Sequence, residues 1–272
     1  MLVPLRPPPP APANLIEKFA DKMELHIISW NVCGVRDIAR LATLKSCVYQ
    51  HRPTVLFIQE AFVGHRLGVQ EAPPLTGYIS YVHLVRNGLI SYIHSSVPHK
   101  LVRNSEDEDM TFQLFDVKIG EAEIRLCNVY SAPGRINLDA LPTPMTRGMI
   151  YLGDFNARHP ELGDTTPTPN RNRPRFLEYI RRHRLTDWNT EGSTHSLKGT
   201  LEHILTSGLV ESRVKCSSVP VLFSDHIALN LHYSITSEQS PRHARTRISI
   251  PPKYCPVYIS YMTNLLPTFN SE

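Results

Sequence analysis

Asp154 and Asn156 stand two residues apart in the stretch Tyr151-Leu-Gly-Asp-Phe-Asn-Ala-Arg-His-Pro-Glu161, directly after the apolar run Met149–Leu152. A carboxylate beside an amide can hold a water molecule and take its proton, which is the chemistry of hydrolysis. If Met149–Leu152 is a buried strand, its period of two aims both side chains one way, at the rim of a sheet. The plain alternative is a strand closed by an Asx turn, and the triplet alone does not separate the two.

Four other segments end apolar runs in the same manner. Leu25–Asn31 reads as a strand that delivers Asn31 ahead of Gly34, and Thr54–Glu60 as a strand that delivers Glu60. Ile124–Tyr130 alternates until Ser131-Ala-Pro-Gly134 breaks it, and Leu222-Phe-Ser-Asp-His226 precedes the alternating Ile227, Leu229, Leu231 and Tyr233. Gathered at one sheet rim, these groups supply oxygen ligands for a hard cation, an acid to activate water, and a titratable histidine.

The elements that must carry them are legible in outline. A helix is predicted from Asp37 to about Gln50, with Ile38, Leu41, Leu44 and Val48 along one face. A second, basic helix is predicted over Arg175–His183, with Pro174 at its start and Phe176, Leu177 and Ile180 as its apolar face. Gly88–Ile93 and Phe112–Val117 read as successive strands. Residues 1–22 form a Pro-rich leader of disordered or polyproline II character. Periodicity continues through residues 23–234, and residues 235–272 read as a basic linker and tail.

Composition sets bounds. The 272 residues are 41% hydrophobic and 8% aromatic, as in a globular protein with a sizeable core. A formal net charge of +4 suits a polyanionic partner without requiring one. Arg158–Arg184 contains seven arginines and no lysine, against Glu161, Asp164 and Glu178. Such a segment either holds backbone phosphates or is a solvated helix face. The five cysteines are widely spaced with no C-x-x-C pair, so neither zinc nor a disulfide framework is expected, and a reducing, intracellular compartment fits. No apolar run has the length of a membrane span, and Pro7–Pro10 interrupt any signal-peptide core.

The ordered series W-N-x-x-G, I-Q-E, N-V-Y-x-x-P, G-D-F-N-A-R-H-P and S-D-H resembles the endonuclease/exonuclease/phosphatase superfamily. Within it, the wording is similar to the apurinic-type endonuclease domain of non-LTR retrotransposons, over roughly Met23 to Tyr233. The resemblance implies an α/β fold, a four-layered α/β sandwich of two mixed sheets packed face to face with helices outside. It implies a metal-dependent phosphodiesterase, a DNA-nicking endonuclease using Mg2+ or Mn2+. Glu60 would bind the metal with Asn31 and Asp225. Asp154 would orient or deprotonate the attacking water, Asn156 would hold that geometry, and Tyr130 and His226 would stabilise the phosphate oxygens. Arg135 and Arg158 would contact DNA. The partner is DNA, with no membrane and no obligate protein partner, in a nuclear setting.

Three departures accompany the resemblance. Glu202 in Gly199–Leu205 stands where the family has an Asp that orients the catalytic histidine. Its extra methylene either still reaches or misplaces the carboxylate by about 1 Å, enough to cost roughly 100-fold. The stretch between Tyr130 and Asp154 is short, with Pro142 and Pro144 where a helix is expected. No Asp-Asp signature of a reverse transcriptase follows. Two other readings therefore compete: a decayed remnant that at most binds nucleic acid, and a same-fold phosphatase acting on lipid or inositol phosphates.

Overall fold

The computed structural model describes residues 24–35, 38–62, 71–105, 107–134, 136–144, 148–165, 172–188, 192–196, 199–219 and 224–235. The predicted leader, nearly all of the predicted tail and Arg135 lie outside them. Within them the chain forms β1 (Glu24–Asn31), α1 (Ile38–His51), β2 (Val55–Gln59), β3 (Tyr78–His83), β4 (Leu89–His94), β5 (His99–Asn104), β6 (Met110–Ile119), β7 (Ala122–Ser131) and β8 (Met149–Asp154). There follow α2 (Arg173–His183), β9 (Thr186–Asp187), β10 (Glu202–Ser207), β11 (Val214–Val219) and β12 (Ala228–Ser234).

The strands make two six-stranded mixed sheets, ordered β11-β12-β1-β2-β4-β3 and β5-β6-β7-β8-β10-β9. β1 pairs parallel with β2, and β7 with β8; the other neighbours run antiparallel. Alternation along each strand decides what goes where. Leu25 and Ile27 of β1, Val55 and Phe57 of β2, Phe115 and Val117 of β6, Leu126 of β7 and Ile150 and Leu152 of β8 fill one core between the sheets. Phe57 stacks on Phe115 across it, ring centroids 6.2 Å apart. The out-of-phase residues Ile28, Trp30, Leu56, Ile58, Ile90 and Tyr92 pack with Leu44 and Cys47 of α1. Cys127, Val129, Tyr151 and Leu205 pack with Phe176, Tyr179 and Ile180 of α2. Helix, sheet, sheet and helix give the four-layered α/β sandwich that the sequence led us to expect.

Details differ from the sequence reading. Ile38, placed on the apolar face of α1, is 87% exposed; Leu44 of that face is buried, Leu41 and Val48 pack half-buried against the core, and Cys47 joins them. β5 intervenes between the two strands read as successive. Ahead of Pro142 and Pro144, the described residues between Tyr130 and Asp154 contain a single 3-10 turn, Leu138–Ala140, where a helix was expected. Ile235, assigned to the tail, is buried in the core between the sheets.

His203 was not singled out, yet it clamps the loop that follows β8. On β10 it points opposite to Glu202 and Ile204, into the layer beneath α2, where its ring lies 4.7 Å from that of Phe176. Its Nδ1 is 2.7 Å from Asp187 Oδ2 and its Nε2 2.9 Å from the Ala157 carbonyl oxygen. Two acceptors require both nitrogens to donate, so the ring is an imidazolium. Burial alone opposes that cation, but the charge and hydrogen bond of Asp187 outweigh it and raise the pKa. A raised folded-state pKa gives stability that is present below the unfolded value and lost as pH rises through the folded one. The thermal midpoint should therefore fall further between pH 6 and pH 9 in the parent than in His203→Gln, at about 2–4 °C per kcal/mol. Parallel melting curves check this; equal slopes would mean that His203 is neutral in the fold.

Candidate active site

The inner faces of the strands are apolar at one end of the sandwich and polar at the other. Following Leu25 and Ile27, the inward positions of β1 become Ser29 and Asn31; those of the neighbouring strands become Gln59, Ser91, Gln113, Asn128, Asp154 and Glu202, all buried. The amides answer one another between the sheets. Gln59 Nε2 donates to Asn128 Oδ1 at 2.7 Å and to Ser29 Oγ at 3.1 Å. Asn128 Nδ2 donates to Ser91 Oγ at 3.1 Å, and Ser91 Oγ donates to Gln113 Oε1 at 2.8 Å. This polar layer separates the hydrocarbon core from the rim where the ionisable groups sit.

Asp154 lies at the centre of that rim and is fully buried. Its Oδ2 accepts from Asn31 Nδ2 at 2.9 Å and Asn156 Nδ2 at 3.1 Å, and its Oδ1 from the Asn156 backbone N–H at 2.8 Å. The last bond is an Asx turn. Asn156 is thus beyond the strand, and it reaches Asp154 because the chain folds back, not through the strand's period of two. Its amide is fixed from behind by the Ser131 carbonyl at 2.9 Å. Burial, and then the charge of Glu202, hold the Asp154 carboxyl well above the usual carboxylate range.

His226 stands opposite. Its Nδ1 is hydrogen-bonded to Glu202 Oε1, so the longer side chain does reach the ring. Burial works against the imidazolium, but the contacts with Cys33 and Glu202 and the charges of Glu202 and Asp154 prevail, pushing its pKa up to about 11. Asp154, Glu202 and His226 each bring one polar atom into a group within 4.8 Å. Two carboxylates around one cation leave an acceptor-rich centre beside a proton donor.

Asp225 lies next to His226 with its side chain 49% exposed. Burial tends to lift its pKa, but the Cys33 bond and the His226 charge lower it below the usual carboxylate range. Tyr130 is buried, and its hydroxyl meets the Glu60 carboxylate and, at 3.5 Å, Asn87 Nδ2. Burial, followed by the Glu60 charge, pushes the phenol far up, so it remains a hydrogen-bond donor.

Strain marks the same rim. Cys33, Glu60 and Asn156 have φ of 50°, 50° and 45°, a left-handed conformation that non-glycine residues seldom adopt. Each is the residue at which a strand's chain turns to present a side chain to the site.

The structure thus brings Asn31, Asp154, Asn156, Glu202, Asp225 and His226 together, with Tyr130 and Glu60 at the neighbouring strand ends. Arg158, expected to contact DNA, lies in the loop after β8. Its side chain is 17% exposed, its Nε is 3.8 Å from Asp164 Oδ2, and it packs beside Gly199. That geometry braces the loop after β8. Arg181 and Arg182 of the arginine-rich segment pair with Glu161 and Glu178 at 2.5 Å on an exposed helix face. Both arginines thus stand on a solvated face of α2.

Two residues near the centre were missed. Cys33 Sγ donates to Asp225 Oδ1 at 3.0 Å. It lies two residues beyond Asn31, a spacing that flags it. His195 Nε2 is 3.3 Å from Asp225 Oδ2, and its ring stands edge-on to His226 at 4.6 Å. It arrives through an isolated bridge to His226, which no local pattern announces.

The donor chemistry fits a hard divalent cation. The amide nitrogen of Asn31 is committed to Asp154, which turns Asn31 Oδ1 toward the Cys33 N–H at 3.2 Å and the rim. Glu60 follows the Gln59 that pairs with Asn31, and Asp225 stands half-exposed beside His226. Oxygen donors are the ligands that hard divalent cations take.

The fold has known counterparts. An AP endonuclease from Leishmania major superposes with a TM-score of 0.61 at 18% identity, covering 78% of this chain and 88% of that one. The endonuclease domain of TRAS1, a telomere-specific non-LTR retrotransposon, gives 0.60 at 12% identity, covering 78% and 98%. An AP endonuclease from Archaeoglobus fulgidus gives 0.55 at 17% identity, covering 78% and 100%. No protein of curated function matches the sequence. The model of the Endonuclease/Exonuclease/phosphatase family matches residues 28–226, from the inner strand β1 to the histidine of the site. The chain belongs to that family.

Proposed function

We propose that this protein is a DNA-nicking endonuclease, cutting one strand by magnesium- or manganese-dependent hydrolysis of a phosphodiester and acting in the nucleus on chromosomal DNA. The observation that carries the reading is the pairing of a buried carboxylate, Asp154, held by two amides, with an imidazolium, His226, held by Glu202. Water activation needs the first and stabilisation of the charged phosphate needs the second. The retrotransposon domain and the AP endonucleases that share the fold are endonucleases by name, which favours a nucleic acid over lipid or inositol phosphates.

In this scheme Asp154 accepts the proton of the attacking water, while Asn31 and Asn156 fix the direction of its lone pairs. His226 donates from Nε2 to a phosphate oxygen, its other nitrogen held by Glu202. Tyr130 donates a second hydrogen bond from its hydroxyl. A cation held by Asn31, Glu60 and Asp225 would supply charge neutralisation at the phosphate. The half-exposed Asp225 leaves the rim open to a macromolecular substrate.

Supercoiled plasmid should be converted to open circles in magnesium and left intact in chelator. A protein that folds and binds DNA without nicking would establish the decayed-remnant reading instead. Hydrolysis of inositol phosphates, with plasmid untouched, would favour the phosphatase reading.

Glu202 gives a sharper test of the histidine's role. Glu202→Gln keeps the shape and removes the charge that favours the imidazolium, so single-turnover nicking should fall about 10- to 100-fold. The alkaline limb of its pH profile should move to lower pH, because the imidazolium is lost earlier. Glu202→Asp draws the carboxylate back from His226 and should also slow the reaction. Parent-like rates in both variants would remove Glu202 from the mechanism.

A further inference from the structure

The oxygen-rich rim contains one soft atom, the thiol of Cys33. Its sulfur, an oxygen of Asp225 and a ring nitrogen of His226 lie within 4.8 Å of one another. Two of the separations are 3.0 Å, from Cys33 Sγ to Asp225 Oδ1, and 3.8 Å, from His226 Nε2 to the same oxygen. Bonds of about 2.0–2.3 Å around a tetrahedral ion place neighbouring ligand atoms roughly 3.3–3.7 Å apart, so small adjustments would suffice.

The surroundings are those of a built site. His226 is bonded through Nδ1 to Glu202, which leaves Nε2 directed at Asp225 and Cys33. A carboxylate behind a ligating histidine fixes its tautomer and strengthens it as a ligand. The other oxygen of Asp225 is steered by His195 Nε2 at 3.3 Å. Backbone bonds lock that arrangement: Ser196 N–H to the Asp225 carbonyl at 2.7 Å, and Ile227 N–H to the Thr194 carbonyl at 2.8 Å. The 49% exposure of Asp225 provides a path for an ion. The absence of a C-x-x-C pair, from which no zinc was expected, conceals this cluster, because Cys33 and Asp225 are 192 residues apart and only the fold joins them.

We propose that Cys33, Asp225 and His226 form a binding site for a thiophilic divalent cation, zinc, distinct in chemistry from the oxygen-ligated magnesium site. Sulfur and imidazole select zinc over magnesium, which takes oxygen ligands and releases its waters reluctantly. Binding displaces two protons to solvent, the thiol proton of Cys33 and the Nε2 proton of His226. The consequence rests on the nuclease reading: zinc takes Asp225 and His226 away from catalysis, so its occupation silences nicking.

Cobalt(II) titration of the full chain tests the site without turnover, since a cobalt–thiolate bond absorbs in the near ultraviolet. One cobalt per chain is expected to bind with that band and to be displaced by zinc but not by a large excess of magnesium. Cys33→Ser should abolish the band and weaken cobalt binding at least 10- to 100-fold, no less than loss of an outer partner. A cobalt complex without the band, a band that survives in Cys33→Ser, or displacement by magnesium would each overturn the proposal. X-ray absorption of the zinc-loaded parent needs no variant. One sulfur at about 2.3 Å is expected, and a shell of oxygen and nitrogen alone would refute the site. Zinc should also inhibit nicking by the parent more than by Cys33→Ser, each measured against its own zinc-free rate. A parent inactive in magnesium would sink the nuclease reading while leaving the cobalt result to decide this one.

Discussion

Asp154→Ala is expected to lower single-turnover nicking of supercoiled DNA about 100- to 10,000-fold, the range for loss of a positioned general base. The fold should survive the change. Burial and the neighbouring Glu202 charge make the Asp154 carboxylate costly to keep ionised, so its removal relieves repulsion. Against this, Asn31 Nδ2 and the Asn156 donors lose their acceptor, at about 1–3 kcal/mol for an unsatisfied buried group. The two effects oppose, and the thermal midpoint should stay within a few degrees of the parent. The pH dependence follows from the direction of the shift. Asp154 must be ionised to act as a base and its pKa is raised, so the parent's rate should fall at a higher pH than an ordinary carboxylate would allow. Raising magnesium should move that fall to lower pH, because a nearby cation favours the carboxylate. An Asp154→Ala protein as active as the parent would assign the chemistry elsewhere.

Gly153→Ala is the second large effect, and it acts on the fold. Gly153 precedes Asp154 on β8, with φ of 151°, and a Cβ there would overlap the Val129 carbonyl oxygen and lie 2.8 Å from its carbon. These are backbone atoms of β7, the parallel partner in register, Val129 opposite Gly153 and Tyr130 opposite Asp154. Relief requires the two strands to part at the rim. The expected cost is on the order of 3 kcal/mol or more, a midpoint lower by about 6–12 °C. Activity should fall as well, since Asp154 and Tyr130 move with their strands. Thermal melting and nicking assays on one preparation check both; an unaltered midpoint would mean that β8 accommodates a side chain.

How far the sequence could be read follows from where each strand lies. β1, β2, β4, β6, β7, β8, β10 and β12 are interior to the sheets, and apolar runs announce all of them except the short β10, whose only adjacent apolar residues are Ile204 and Leu205. The other strands without such runs, β3, β5, β9 and β11, are the four sheet edges. β3 and β5 carry exposed or half-exposed residues such as Ser80, Lys100 and Arg103, because an edge meets water and needs no apolar run. The site was legible where polar groups end interior strands, as at Asn31, Glu60, Tyr130 and Asp154. It was illegible where a loop folds back into the rim. His195 arrives through a bridge formed far along the chain, and His203 owes its charge to Asp187 and to a carbonyl that only the fold supplies. Asn156 was found for the wrong geometrical reason, since a turn rather than a strand's period sets its direction.

The amide layer beneath the site bears on how such a protein can be recombined. One sheet contributes Gln59 and Ser91, the other Gln113 and Asn128, and these four bond across the seam, while Ser29 holds Gln59 from within its own sheet. Hydrocarbon faces tolerate sliding, whereas a donor and acceptor set 2.7 Å apart tolerates none. The layer therefore works as a key between two halves that would otherwise be interchangeable. A chimera that takes one half from a distant relative inherits half a key, and its sheets should meet out of alignment unless all five positions travel together.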